Sequence, residues 1–250
     1  MIIRAHRRGR VSSLRAATAA AAAATVVGGL LSGCSVSDEQ LRPGVAAQVG
    51  DDEIALDEID EAIDVACGFF ADEERAGFPR SLARQQFVSA LVQRSAAAQA
   101  LEEGGLAVGA AYEQAAGAIE TQNAQIPADQ RAPFILLNEA AVFVDAAARA
   151  LGEAAFDEEG EVPADPAITT QRGGTELASW IEANDVEINP VFRLTVAEGQ
   201  VVADTGGASV AVSDFARATL LDPLTASAEQ VADTADLLPA SQLCGAAPEA

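Results

Sequence analysis

Four residues, Leu31-Ser32-Gly33-Cys34, limit what this chain can fold into, because they set where folding can start. They close an apolar run from Ala16 to Leu30, and five arginines (Arg4, Arg7, Arg8, Arg10 and Arg15) come before that run. A basic segment, an apolar segment and small residues ahead of a cut make an export signal. Cysteine directly after the cut, with leucine, serine and glycine ahead of it, makes that signal a lipobox. Residues 1–33 are therefore expected to leave, and the Cys34 thiol to carry a diacylglycerol. Acylation of the freed amine would add a further chain. At about 0.8 kcal/mol per buried methylene, two or three such chains hold a protein on a membrane face without a spanning helix. The expected location is the extracytoplasmic face of the cell membrane. The competing reading is an ordinary secretory signal with Cys34 there by coincidence. Arg7-Arg8 is followed by Gly9, Arg10 and Val11, so it lacks the hydrophobic pair of a twin-arginine tag.

Cleavage leaves 217 residues, Cys34 to Ala250, enough for one sizeable core. All 38 acids follow the cut, with ten of the arginines, giving a mature charge of −28. Such a surface repels nucleic acid and anionic headgroups, which removes nucleic-acid binding from consideration. Every basic residue is arginine, none is lysine, and the single histidine, His6, lies in the signal. Without His or Lys the mature chain cannot build a Ser-His-Asp or Cys-His site, a phosphate loop, a Schiff base or a histidine-ligated metal centre. The expectation is a protein with no catalytic residue, no metal and no cofactor.

With Cys34 lipidated, Cys67 and Cys244 are left. An even pair in an oxidising compartment reads as a disulfide, with two buried free thiols as the alternative.

After a polar tether, 34–44, the expected domain runs from 45 to 250. Val45–Val49 and Glu53–Ala55 around Gly50-Asp51-Asp52 read as a hairpin. Asp57 is a good N-cap for a helix to about Phe70, in which Leu56, Ile59, Ala62, Ile63, Ala66, Cys67 and Phe70 form one stripe. Cys67 therefore faces the core. A long helix follows Pro79 and ends near Gly104-Gly105, with Phe87, Val88, Leu91, Val92, Ala98 and Leu101 on one side. An alanine-rich helix spans about Gly109 to Asn123, and Pro127 separates it from another between Asp129 and Leu151. That helix has a second apolar strip, Phe134, Ile135 and Val142, beside Asn138, Asp145 and Arg149. Such a strip either meets another helix of the same domain, the favoured reading, or is a patch offered to something else. The acid-rich segment 157–170 reads as an exposed loop, without the ligand spacing of a calcium loop. A helix from about Thr175 to Asn184 precedes a second β-rich stretch: Val186–Ile188, Leu194 to Val202 around Glu198-Gly199, and Ser209–Val212. Its expected partner is the opening hairpin. A helix over Ala226 to Leu238 closes the chain before Cys244. The fold class is α+β, mainly α, with a small antiparallel sheet joining the two ends.

Three stretches carry a resemblance. They are Ala46 to Ile54 with Leu56-Asp57-Glu58-Ile59-Asp60, the helix Arg84 to Leu101 with the glycines after it, and Trp180-Ile181 through Asp185 to Pro190 with Leu238 to Gly245. Together they resemble the N-terminal binding module of SurA- and PrsA-type extracytoplasmic chaperones, in the short lipoprotein form of high-GC Gram-positive bacteria. Larger members insert a parvulin-type prolyl isomerase domain where this chain has only Gly152 to Gly174. The resemblance therefore implies binding of polypeptides without isomerase activity. After Asn189-Pro190 the family pattern has an arginine, an aromatic and a glycine, whereas this chain has Val191, Phe192 and Arg193.

Two functions fit these readings. One is a membrane-tethered holdase for unfolded or exported polypeptides, with Phe134, Ile135 and Val142 as candidate client contacts. The other is an interaction lipoprotein dedicated to one cell-envelope partner. A hydrolase with paired carboxylates is disfavoured, because one Trp and one Tyr leave few platforms for sugars.

Overall fold

Short apolar runs on either side of a Gly-Asp turn fold into strands β1 (Val45–Val49) and β2 (Asp52–Ala55). Gly50 sits at φ 52°, the left-handed region that costs glycine nothing. The computed structural model describes residues 42–160, 163, 165–204, 213, 216, 221 and 225–246. The signal, Cys34, the tether up to residue 41 and the expected strand Ser209–Val212 lie outside them. Strand β4 (Val186–Ile188) pairs antiparallel with the free side of β1, giving the order β2-β1-β4. The opening hairpin thus meets the first strand of the second β-rich stretch, whose strands at 194–197 and 200–203 pair with each other in a separate sheet. As the middle strand, β1 has Ala46, Ala47 and Val49 fully out of solvent.

Helix α1 (Leu56–Asp72) buries Ile59, Ile63, Ala66 and Cys67 on the expected stripe, with Phe69 added. Its N-cap is Ala55 rather than Asp57. The β2 strand runs straight into the helix, and the Leu56 N–H is satisfied by the Gly44 carbonyl, so no side-chain cap is required. Strand β3 (Phe78–Pro79) leads into α2 (Arg80–Glu103). This helix is not one-sided as expected. It buries twelve side chains, among them Leu82, Ala96, Ala97 and Ala100, and packs on α1, β1, α4 and α5, whereas Ala98 is exposed. Alanines on the supposedly free side let neighbouring helices approach closely, which a scan for large apolar residues overlooks. The Gln99 amide fastens α2 to the hairpin by donating to the Val49 carbonyl at 2.6 Å.

Helices α3 (Ala110–Gln122), α4 (Ala132–Glu159) and α5 (Pro166–Ala183) follow. The acid-rich segment 157–170, expected as a loop, is helical at both ends. Asp157, Glu158 and Glu159 form the last turn of α4, which ends at Gly160 with φ 72°. Helix α5 begins nine residues before the expected Thr175: Asp165 caps it by accepting from the Ala167 N–H at 2.9 Å, and Pro166 takes the first helical position. Gly173 and Gly174 lie inside α5. Helices α4 and α5 cross where Gly152 faces Gly173, and a β-carbon on either would overlap a backbone carbonyl of the opposite helix, Thr169 and Ala148 respectively. Close approach explains both glycines.

The 3-10 turn Pro190–Phe192 is fixed by Asn189, whose side chain accepts from the Val191 N–H and donates to the Val45 carbonyl. Arg193 takes a left-handed φ of 53° although it is not a glycine. Strands β5 (Leu194–Ala197) and β6 (Gln200–Ala203) then form a hairpin whose turn residues, Glu198 and Gly199, both have positive φ. Helix α6 (Ala228–Leu237) opens with a capping box in which Ser227 Oγ accepts from the Gln230 N–H and Gln230 Oε1 from the Ser227 N–H. Ser227→Ala is expected to lower the unfolding free energy by about 1 kcal/mol, read as a shift in the urea midpoint at constant slope. Strand β7 (Leu243–Cys244) pairs with β3 and brings Cys244 to Cys67, with sulfurs 2.11 Å apart. None of the helices among the described residues is long and apolar enough to cross a membrane.

Candidate functional site

The core is built from α1, α2 and the face of the three-stranded sheet, and two grooves lie beside it along α4. The larger, of about 660 Å³, runs between α2, α4 and α5. Its floor is made of small apolar groups: Ala90, Ala140, Ala141, Ala148 and Gly174, with Val144. Its edge from α2 is polar, because Gln85, Ser89 and Gln93 recur every four residues and so share one face of the helix. Gln85 and Ser89 are buried polar residues. The Gln85 amide donates to the Phe192 carbonyl at 2.9 Å, and the Gln93 amide donates to Ser89 Oγ at 2.9 Å. Thr170 and Asp145 complete the polar lining. Amides and hydroxyls both donate and accept, so this edge can satisfy a ligand's N–H and C=O groups, while the alanine floor takes apolar atoms. The volume falls within the roughly 300–1,000 Å³ of ordinary ligand clefts.

One end of this groove lies near the start of the domain. Gln85 holds Phe192, and Asn189 of the same short turn holds the Val45 carbonyl, so hydrogen bonds run from the groove to the first strand. Arg84, one residue from Gln85, pairs with Asp60 at 2.7 Å and lies over the Phe192 ring at 5.0 Å, which locks this corner to α1.

The second groove, of about 500 Å³, separates the first half of α3 from α4. Ala107, Gly109, Ala110 and Tyr112 line one wall and Val142, Asp145, Arg149 and Glu153 the other. The Tyr112 ring meets Phe143 edge-on at 5.5 Å.

The residues singled out from the sequence do not gather into one open strip. Phe134 stacks edge-on against Phe69 and Phe70, at 5.2 and 5.5 Å, in a cluster that also holds Phe78 and the Arg75 guanidinium. It is therefore an intramolecular contact of α4 with α1. Ile135 is half-buried beside it, and Val142 is half-buried in the second groove, under α3. Cys67 and Cys244 meet within the hydrophobic core, and Cys34 lies outside the described residues. What sequence reasoning missed is the polar row Gln85-Ser89-Gln93. Its signal was present as three polar residues spaced by four inside an otherwise apolar helix.

The chain matches no protein-family model, and no curated protein or solved structure is similar to it at a significant level.

Proposed function

We propose that the mature chain is a lipid-anchored holdase on the extracytoplasmic face of the cell membrane, binding unfolded segments of exported polypeptides in the α2–α4–α5 groove without chemical change. The observation that carries this reading is the composition of that groove: a floor of small apolar side chains beside a row of amides and hydroxyls. An extended segment presents alternating apolar side chains and unpaired peptide groups, and this lining suits both with little selection for sequence. The lipobox supports the location, and the net charge of −28 supports solubility of a loaded complex and a preference for basic clients. The resemblance to SurA- and PrsA-type modules points the same way.

Residues 34–250, produced without lipid, are expected to suppress light scattering by a reduced, unfolded client at several-fold molar excess. Ala141→Arg, at an exposed position of the groove floor, is expected to reduce that protection several-fold without shifting thermal unfolding. Full protection by the variant would place the client elsewhere. In cells, Cys34→Ala is expected to move the protein from the membrane fraction to the soluble fraction or to leave the signal uncut; continued membrane attachment with a processed N-terminus would contradict the anchor.

A further inference from the structure

Helix α3 is held more loosely than α1, α2, α4 and α5. Of its thirteen residues only Ile119 is buried, against twelve buried side chains in α2. No ion pair among the described residues joins it to another element. Over its first half the contact with α4 is replaced by the 500 Å³ groove, so the atoms lining that space lack dispersion partners on one side. The Tyr112–Phe143 edge contact is what bridges this half. The helix also carries an internal glycine, Gly117, around which a β-carbon would find nothing within 4 Å. It starts after Gly104, Gly105 and Gly109, with Gly105 at φ 61°. The opposite end is secured: Ile126 is buried, and Arg131 donates to the carbonyls of Ala124 and Ile126.

A helix fastened at its C-terminal end, poorly packed at its N-terminal half and preceded by glycines has the local stability of a separate opening unit. We propose that α3 is a flap over α4 that opens by local unfolding from its Tyr112 end toward the Arg131 corner while α1, α2, α4 and α5 stay folded. Opening uncovers Val142 and the Tyr112 side of Phe143, whose ring also lies under the Arg94 guanidinium at 5.6 Å; Asp145 lines both this groove and the main one. That these then meet a client rests on the holdase reading above; the opening itself does not.

Hydrogen exchange of the intact mature protein under native conditions, read by mass spectrometry of peptides, tests the flap without any client. Amides of 112–122 are expected to exchange about a hundredfold faster than those of 86–101 in α2. Gly117→Ala removes the helix-propensity cost of glycine, about 1 kcal/mol, and is expected to slow exchange in α3 about fivefold and leave α2 unchanged. Tyr112→Ala removes the bridging contact and is expected to speed α3 about tenfold, again alone. Protection of α3 equal to that of α2, or variants that shift α2 and α3 together, would overturn the proposal. A flap that opens in a protein with no effect on client aggregation would stand, and only the holdase reading would fall.

Discussion

Gly173→Val is expected to lower the unfolding free energy of the mature protein by about 4 kcal/mol, a large share of the roughly 5–15 kcal/mol that holds a domain folded. The reason is backbone against backbone. A β-carbon at Gly173 would overlap the Ala148 carbonyl and crowd the Gly152 N–H, and neither belongs to a flexible side chain that could turn aside. Relief requires α4 and α5 to separate along their whole crossing, which empties the packing of Ala147, Ala148 and Leu177. Overpacking of this kind costs about 1–3 kcal/mol where side chains can adjust and more where they cannot. The neighbouring Gly174 provides the contrast, since a β-carbon there meets nothing within 4 Å. Gly174→Ala is expected to raise stability by about 1 kcal/mol, through helix propensity alone. Urea titrations followed by circular dichroism read both. Equal effects of the two substitutions would mean that the helices do not cross at Gly152 and Gly173.

Replacing Cys67 and Cys244 with alanine is expected to cost about 4–5 kcal/mol. The bridge spans 177 residues, and in the chain-entropy account a closed loop of that size restricts the unfolded chain by about 5 kcal/mol. Some of that returns, because β7 still pairs with β3 and Ala246 still bridges to Ala76 without the covalent link. The loss should be local first. Helix α6 and β7 are held through β3 and α1, so limited proteolysis of the double variant is expected to cut between 225 and 246 before any other site. Wild-type protein treated with a strong dithiol reductant under partly denaturing conditions should show the same early cut. An unchanged melting temperature in the double variant would show that the sulfurs are not bonded in the molecule.

The parts of this fold that could be read in advance are those where one local rule acts without competition. Gly50 with two short apolar runs specifies the hairpin, and the i, i+3, i+4 stripe of α1 puts Cys67 on the core side. Asp57 misled because a strand feeding directly into a helix supplies its own backbone partner. The helix expected from Thr175 begins earlier than its large apolar residues Leu177, Trp180 and Ile181 suggest, because its first turns pack on α4 through Thr169 and Gly173 rather than through large side chains. The acids at 157–159 suggested a solvated loop, yet a helix end that projects into water holds them equally well. The candidate groove was hidden for another reason. Its floor is alanine from α2 and α4, which no pattern of large apolar residues reveals, and its three walls come from segments 85–93, 140–148 and 170–174. Phe134, singled out as an orphan on a polar face, finds its partners in Phe69 and Phe70, more than sixty residues earlier.

In the proposed holdase, polypeptides lie along the alanine floor of the α2–α4–α5 groove. A photo-reactive phenylalanine analogue placed at Ala141, which is exposed and lines that floor, tests this in cells exporting the full chain. Irradiation is expected to give a broad ladder of adducts with exported proteins, which the same analogue at Ala118, on the outer face of α3, does not give. A single adduct of fixed mass would replace the holdase with a lipoprotein dedicated to one partner, and equal labelling from both positions would contradict the groove as the binding site.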